Sequence, residues 1–132
     1  MRIRRAVQAV IFRNFNGEER FLLVKKRDFS ARRFRWRLLK GGVKTGESDV
    51  EALKREIFEE VGFENVQVLA KTYNYQFTFK NVKHMVSSYK VKVGHDEQIK
   101  LQMSELAGYT WVPKEKAIRM LYWRNEAKAL AA

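Results

Sequence analysis

The chain has 132 residues, of which 45% are apolar, and it carries a formal net charge of +12. That length predicts one domain over residues 1 to 132 with a sizeable core. The absence of cysteine excludes disulfides, thiolate catalysis and cysteine metal sites. No apolar run reaches the roughly 18 residues of a membrane-spanning helix, and the basic N-terminus lacks the pattern of a signal peptide. We therefore expect a cytoplasmic protein without a membrane partner.

Two strands joined by a tight turn are predicted at the start of the chain. Residues 3 to 13 and 20 to 27 combine β-branched and aromatic residues with polar ones, and Asn16-Gly17 between them is a strong hairpin signal. We expect a strand pair that is covered on both faces in its middle.

A basic segment follows from Lys25 to Lys40, with eight bases and one acid interleaved with aromatic residues. Guanidinium groups hold phosphates, and aromatic rings stack on nucleotide bases. The alternative is a solvated loop that its aromatic residues anchor to the core. Because the segment runs directly into a glycine pair, its bases must begin close to the helix that follows. The candidate phosphate- or substrate-binding residues here are Arg33, Arg35, Arg37, Lys40 and Gly42, and the candidate base-stacking residues are Phe34 and Trp36.

The next segment predicts a helix with defined ends. Ser48 is a favourable N-cap, and Glu51 three residues later completes a capping box. Gly62 is the expected C′ residue. Before the helix, Gly41-Gly42 lets the backbone turn sharply and approach a ligand closely. An apolar stripe at helical spacing is predicted to face the core, and it consists of Val50, Leu53, Ile57 and Val61.

Three glutamates lie together on one face of this helix. Glu56, Glu59 and Glu60 occupy positions i, i+3 and i+4, about one turn apart. Like charges at that spacing repel one another, so a cation is expected to offset them. Clustered hard oxygen donors favour Mg²⁺ or Mn²⁺ over Zn²⁺. Arg55 is predicted to orient the Glu59 carboxylate, and Glu47 to hold the same guanidinium.

The acidic residues are concentrated around this helix. Residues 46 to 64 contain seven acids and two bases, although the whole chain is strongly basic. Such an acidic island favours a metal-centred site that receives a polyanion, whereas solubility is the simpler explanation of the basic surface.

A second hairpin is predicted from residues 66 to 79 and 82 to 93, with its turn at Lys80-Asn81. Core packing is the ordinary role of aromatic residues that alternate along a strand, whereas Tyr75 and Phe77 are the candidates for stacking on a base. The alternating residues, which share one face, are Tyr73, Tyr75, Phe77 and Phe79.

The remaining sequence predicts a polar loop over residues 94 to 104, a strand that ends before Pro113, and a helical tail broken near residues 123 to 125. His84 and His95 have no partner at metal-ligand spacing, so we expect both to be structural or exposed. The order of helices and strands favours an α/β domain with a mixed sheet between helices.

The segment from Gly41 to Phe63 resembles the Nudix box, G-x5-E-x7-R-E-U-x-E-E-x-G-U, in which U is a bulky apolar residue. All nine positions are filled, and a chance match is on the order of 10⁻⁸ per start position at average residue usage. A solvated acidic helix after an ordinary glycine turn does not explain this joint spacing. The matching residues are Gly41, Glu47, Arg55, Glu56, Ile57, Glu59, Glu60, Gly62 and Phe63.

The resemblance implies a Nudix α/β/α sandwich and metal-dependent hydrolysis of a pyrophosphate bond in a nucleoside diphosphate linked to another group. Glu105 precedes a Trp-Val strand by six residues, as in Nudix hydrolases of dinucleoside polyphosphates and RNA 5′ ends, and Glu97 is the alternative fourth carboxylate. The implied ligands of Mg²⁺ or Mn²⁺ are Glu56, Glu59, Glu60, Glu105 and the backbone carbonyl of Lys40. The implied catalytic residues are Arg55, Glu56, Glu59 and Glu105, with Glu56 as the proton acceptor, and the implied structural residues are Gly41, Glu47 and Gly62.

The approach to the box favours dinucleoside polyphosphates, of the diadenosine tetraphosphate type, as substrate. It resembles the Trp-x-x-Pro-Lys-Gly of their Nudix hydrolases, although Leu39 replaces the proline. Lys83 and Tyr89 resemble, by position, a phosphate-binding lysine and a sheet tyrosine of related enzymes. The alternatives are nucleoside triphosphates, including oxidised purine nucleotides, and RNA 5′ ends. A catalytically silent nucleotide- or RNA-binding module and a plain basic RNA-binding domain are the alternatives of another class, and a homodimer would be in keeping with the family.

Overall fold

The computed structural model of the chain describes residues 1–102 and 106–132. Those residues form seven strands and three helices. The strands are β1 (Arg2–Phe15), β2 (Glu18–Asp28), β3 (Arg33–Arg37), β4 (Leu39–Gly42), β5 (Val66–Phe79), β6 (Val82–Val93) and β7 (Leu106–Pro113), and the helices are α1 (Asp49–Val61), α2 (Lys114–Met120) and α3 (Arg124–Ala131). No helix in the described ranges is long and apolar enough to cross a membrane.

The sheet is built on β1. This strand runs parallel to β6, from Arg2 opposite Val82 to Phe12 opposite Lys92, and β5 pairs antiparallel with β6. The end of β1 pairs antiparallel with β2, and residues 6–9 of β1 pair antiparallel with β4. Both β3 and β7 pair antiparallel with β2. The sheet is therefore mixed, which confirms the predicted α/β class.

Helices cover both faces of the sheet, because successive side chains of β1 point to opposite sides. Val7 and Ile11 lie in one buried cluster with Ile57 of α1. Val10, from the alternate set, lies in a second buried cluster with Leu130 of α3. This division of one strand between two cores produces the predicted α/β/α sandwich.

Both predicted hairpin turns are present. Asn16 and Gly17 have φ angles of 50° and 84°, and Lys80 and Asn81 have φ angles of 50° and 61°. Two successive residues with positive φ match the twist of an antiparallel hairpin. Asparagine and glycine adopt this conformation readily, whereas Lys80 adopts it at a steric cost.

Two strands, β3 and β4, occur where the sequence analysis placed none. Basic and aromatic side chains alternate along β3, which is the two-residue period of a strand. The basic residues are Arg33, Arg35 and Arg37, and the aromatic ones are Phe34 and Trp36. The strand forms because β2 supplies an antiparallel ladder along the whole of β3. The stretch from Arg33 to Arg37 is therefore a strand and not a loop, while Trp36 packs against the core as that alternative expected. The binding role of the arginines stays a prediction.

One member of the predicted apolar stripe of α1 does not reach the core. Val50 is 39% exposed, whereas Leu53, Ile57 and Val61 are at most 1% exposed. Ala52 is fully buried instead, so the buried face of the first turn begins two residues later than predicted.

The predicted capping box of α1 is complete and provides a test of the fold. The Ser48 hydroxyl accepts from the Glu51 N–H, and the Glu51 carboxylate accepts from the Ser48 N–H. We expect Ser48→Ala to lower the free energy of unfolding by about 0.5–2 kcal/mol in urea denaturation, because one helix-terminal N–H loses its acceptor. Thr45→Ala, which removes a hydroxyl from the same loop without uncapping the helix, is the control. Equal stabilities of the two variants would contradict the assignment.

Candidate active site

The site begins with the orientation of α1. Leu53, Ile57 and Val61 are buried against the sheet, which turns the glutamates of the helix away from the core. Gly62 ends the helix with a φ of 78°, and its N–H donates to the Phe58 carbonyl. Helical periodicity between two well-defined ends therefore sets where each carboxylate starts.

Arg55 joins the glutamates of the box to the glycine loop. Its Nε and Nη2 donate to the Glu47 carboxylate at 2.6 and 3.0 Å. Nη1 donates to Glu56 Oε1 at 2.8 Å and lies 3.4 Å from Glu59 Oε2, while Nη2 also donates to the Gly42 carbonyl at 2.9 Å. These carboxylates raise the pKa of Arg55, above all through the Glu47 hydrogen bond. One guanidinium thus holds three acids and one backbone carbonyl.

Glu47 is held from two directions. Besides Arg55, the Lys44 N–H donates to Glu47 Oε1 at 2.9 Å. These hydrogen bonds, with that from Arg55 the strongest, lower the pKa of the Glu47 carboxyl from 4.5 to about 2. Glu47 therefore acts as a brace, because its hydrogen bonds join the loop to the helix.

Gly41 and Gly42 admit side chains on opposite faces of β4. A Cβ on Gly41 would lie 2.0 Å from the carboxyl carbon of Glu56, and a Cβ on Gly42 would lie 2.8 Å from Nη2 of Arg4. Gly41 therefore leaves the space that Glu56 fills, whereas a side chain at Gly42 would displace the end of Arg4. The sharp turn predicted at Gly41-Gly42 is absent, because both residues lie in β4, and nothing in the sequence indicated the contact with Arg4.

The oxygen donors of α1 fit a hard divalent cation by their chemistry. Glu56 lies in the space that Gly41 leaves, Glu59 is half exposed, and Glu60 is partly buried. In the described ranges no three Asp, Glu, His or Cys side chains converge on one point. The predicted ligand Glu105 lies outside the described residues.

Glu97, the alternative fourth carboxylate, serves the end of α1 instead. Its Oε1 accepts from the N–H groups of Glu64 and Asn65 just beyond the helix. The chain after Glu97 then follows the helix terminus, and the Gln102 N–H donates to the Glu60 carbonyl at 3.0 Å. These contacts tie Oε1 of Glu97 to the residues just beyond α1, and a metal-binding role of Glu97 stays a prediction.

Several cations surround Lys40 of β4 closely enough to influence its pKa. Burial lowers the pKa of Lys40, and the positive charges of Arg37, Lys26 and Arg4 lower it further, while Glu126 opposes them. Burial also lowers the pKa of His84, followed by the charge of Arg4. This set, which we call the cation pocket, consists of Arg4, Lys26, Arg37 and Lys40.

An aromatic row lies beside the cation pocket. The rings of Tyr73, Tyr75 and Phe77 follow one another at 5.9 and 6.2 Å, and His84 stacks on Phe77 at 4.6 Å. Nζ of Lys40 lies 5.1 Å from the centroid of Phe77. Tyr73 packs against the second buried cluster, whereas Tyr75 is partly buried and Phe77 is 36% exposed, so the row leads from the core to an open wall. Both predicted base-stacking residues of β5 therefore stand next to cations.

Buried polar side chains form the floor next to this wall. The Tyr75 hydroxyl donates to Gln8 Oε1 at 2.9 Å, and Gln8 Nε2 donates to Ser88 Oγ at 3.0 Å. Gln8 and Ser88 are fully buried. Burial raises the pKa of Tyr75, so this hydroxyl stays protonated at neutral pH.

Glu126 is a buried acid that sequence reasoning missed. It is 2% exposed and accepts from Nε of Arg37 at 2.7 Å and from the Leu38 N–H at 2.8 Å. The ion pair with Glu126 fixes the direction of the Arg37 guanidinium. The pocket keeps a net positive charge, because it contains three further cations. No sequence pattern indicates the contacts of Glu126, since its partners are about 90 residues earlier in the chain.

Other predicted residues lie apart from the pocket. Phe34 and Trp36 flank Nζ of Lys25 at 5.9 and 5.7 Å. Lys83 and Tyr89 lie an even number of residues apart in β6, so their side chains point to the same face of the sheet. The Tyr89 hydroxyl donates to Asp49 of α1. Lys83 therefore starts on the α1 side of the sheet, away from the face that carries the cation pocket.

The Glu47 brace predicts a pH dependence of stability. A carboxyl whose pKa is lowered on folding stabilises the folded state above its unfolded pKa, and this contribution is lost as pH falls toward the folded value. We therefore expect wild type to be more stable than Glu47→Gln near neutral pH, with the difference shrinking between about pH 5 and pH 2. Urea denaturation across this range, with the exposed Glu115→Gln as control, measures it. A pH-independent difference would refute the brace.

Comparison with known proteins places this site in a family. The NUDIX domain model matches residues 2–132. The chain is 30% identical over 127 residues to an RNA pyrophosphohydrolase of Ruthia magnifica subsp. Calyptogena magnifica, covering 83% of this chain and 64% of that protein. It is 35% identical over 96 residues to an RNA pyrophosphohydrolase of Klebsiella pneumoniae, covering 58% and 54%. The chain thus spans less than two thirds of the length of these relatives.

Solved structures show the same fold. An Ap4A hydrolase of C. elegans in a binary complex superposes with a TM-score of 0.82 at 23% identity, covering 96% of this chain and 92% of that one. The E. coli ORF135 protein gives 0.80 at 23% identity, covering 100% and 89%. Since the family model extends over all but the first residue, the resemblance of the glutamate helix to a Nudix box is confirmed, and this protein belongs to the NUDIX domain family.

Proposed function

We propose that the protein hydrolyses a pyrophosphate bond in a nucleoside diphosphate linked to another group, with Mg²⁺ or Mn²⁺ as cofactor. The arrangement around β4 carries this proposal. On one face of the strand, Gly41 admits the Glu56 carboxylate that Arg55 holds, and on the other face Gly42 admits Arg4 beside Lys40. A one-residue step along one strand thus separates the acids that suit a cation from the cations that suit a phosphate chain.

Glu56, Glu59 and Glu60 are the proposed metal ligands, with Glu105 and the backbone carbonyl of Lys40 as further candidates. When bound, a divalent cation would neutralise phosphate charge and make a water acidic enough to attack at neutral pH. Glu59 is the most accessible of the acids that Arg55 holds, since its side chain is 50% exposed compared with 17% for Glu56.

The reaction divides between the two faces of β4. Water attacks one phosphorus of the anhydride, the bond from that phosphorus to the bridging oxygen breaks, and the water proton passes to Glu56 as general base. The leaving phosphate departs with the bridging oxygen. Lys40 and Arg4 stabilise the negative charge on the transferred and leaving phosphates. Arg55 keeps Glu56 oriented between its own guanidinium and Gly41.

Dinucleoside polyphosphates are the first substrate candidate. The cation pocket supplies several charges for a phosphate chain, and the aromatic row of Tyr75 and Phe77 supplies a stacking surface next to it. The Ap4A hydrolase of C. elegans shares the fold. RNA 5′ ends are the second candidate, favoured by the relatives named RNA pyrophosphohydrolase and by the basic, aromatic surface of β3. Nucleoside triphosphates remain the third.

A product assay tests the proposal most directly. Purified protein is incubated with Mg²⁺ or with EDTA over a panel of diadenosine tetraphosphate, nucleoside triphosphates, ADP-ribose and 5′-triphosphorylated RNA. Metal-dependent release of a mononucleotide or phosphate product supports the hydrolase and names the substrate class. Tight binding of a panel member without turnover would instead establish a silent binding module.

The carboxylates can be tested singly. We expect Glu59→Gln and Glu60→Gln each to lower kcat at least about 100-fold while leaving the circular dichroism spectrum and melting temperature close to wild type, because each removes a proposed ligand. Glu115→Gln, which removes an exposed carboxylate from α2, should retain full turnover. Wild-type turnover in either helix variant would disprove the metal assignment.

Arg4 can be tested against Arg2, another exposed arginine of β1. We expect Arg4→Gln to raise KM for the phosphate substrate about 10- to 100-fold, the size expected for loss of a hydrogen bond to a charged group. Arg2→Gln removes an exposed charge from the same strand and should leave KM within about twofold of wild type. Equal effects of the two substitutions would show that Arg4 contributes only general positive charge.

A further inference from the structure

We propose that β3 and the connection between α2 and α3 form a surface for single-stranded RNA, along which the nucleotides downstream of a bound 5′ end lie. This inference rests on the proposed function, since it assumes that the 5′ phosphates occupy the cation pocket. We call this surface the β3 ladder. It consists of Arg33, Arg35, Arg37, Tyr122 and Trp123.

The connection between the helices lies directly along β3. An isolated bridge joins Trp36 of β3 to Leu121 in parallel orientation. The two residues after Leu121 therefore run beside the arginines of the strand. Cζ of Arg35 lies 3.6 Å from the ring centroid of Tyr122, and Tyr122 packs edge-on against Trp123 at 4.9 Å.

A second contact between an arginine and an aromatic ring follows the first. Cζ of Arg37 lies 5.7 Å from the ring of Trp123. Tyr122 and Trp123 are 58% and 43% exposed, although aromatic rings of that size are normally buried. Each ring thus has a guanidinium on one side and solvent on another. Exposed rings of this kind are the platforms on which successive bases of a single strand stack.

The three arginines of the ladder differ in exposure and pairing. Nε of Arg35 is bonded to Asp28 at 2.7 Å, and both side chains are 14% exposed. Nε of Arg37 is bonded to Glu126 at 2.7 Å, and these side chains are 23% and 3% exposed. The two ion pairs hold the arginines against the exposed rings, and Arg33 at the end of the row is exposed. The surface therefore offers two supported aromatic rings and one accessible guanidinium.

The ladder and the cation pocket share Arg37. Glu126 holds its guanidinium at 2.7 Å, and the charge of Arg37 lowers the pKa of Lys40 in the pocket. Alternate residues of a strand are about 6.7 Å apart, so the three arginines form a straight row that leads away from the pocket and ends at the exposed Arg33. A row of this form suits one extended strand, whereas double-stranded RNA is recognised by shape and offers no free bases to stack.

The test uses substrate length. The full chain and its Tyr122→Ala variant are assayed with Mg²⁺ on diadenosine tetraphosphate, on ATP and on a 5′-triphosphorylated RNA of eight nucleotides. Phe79→Ala is the control, because Phe79 is also a phenyl-bearing residue at 59% exposure but belongs to the β5–β6 hairpin. Binding of the same RNA is measured by fluorescence anisotropy in EDTA at several salt concentrations, with anionic lipid vesicles as a competing polyanion.

We expect Tyr122→Ala to lower kcat/KM and affinity for the RNA about 5- to 100-fold, the range for one lost base stack, and to leave the two short substrates unchanged. Phe79→Ala should leave all of these unchanged. The inference is overturned if Tyr122→Ala binds and cleaves RNA like wild type, or if it impairs the short substrates equally. Vesicles that displace the RNA from wild type but bind Tyr122→Ala normally would also overturn it.

Failure of the proposed function would look different. In that case wild type would cleave no member of the panel, yet the binding comparison in EDTA would still report on the ladder. Loss of RNA affinity in Tyr122→Ala, with Phe79→Ala unaffected, would then support the surface independently of turnover.

Discussion

The arrangement of the site depends on a single guanidinium. Arg55 donates to Glu47, Glu56 and the Gly42 carbonyl, and it also approaches Glu59. Three like charges within one helical turn and its preceding loop would otherwise repel one another. Because Arg55 is planar and donates along several directions, it keeps these groups close and leaves the half-exposed Glu59 as the most open of the acids that it holds.

A short strand separates the two chemistries. In β4, successive residues face opposite sides, so Gly41 opens toward α1 while Lys40 and Gly42 open toward the other face. The missing side chain of Gly41 lets Glu56 approach the backbone closely, and the end of Arg4 lies beside Gly42. Acids for a cation and cations for phosphates therefore lie within one residue of each other, although the side chains start from different strands and helices.

Patterns that are local in sequence were predicted well. The Ser48 capping box, the Gly62 end of α1 and the turn at Asn16-Gly17 depend on residues at most a few positions apart. The hold of Glu47 on Arg55 spans two helical turns and was also foreseeable. The strand β3 was missed, because its arginines suggest solvent when read alone, and only pairing with β2 makes the alternation a strand.

The sequence by itself determined the family, the helix that carries the glutamates and the charge contrast around it, since these depend on spacing along the chain. Only the tertiary structure decided which residues from distant parts of the chain meet. Glu126 reaches Arg37 across 89 positions, Gln8 reaches Ser88 across 80, and Arg4 covers Gly42 from another strand. The physical reason is that sheet register and helix packing fix such contacts, and neither is encoded in the spacing of any one segment.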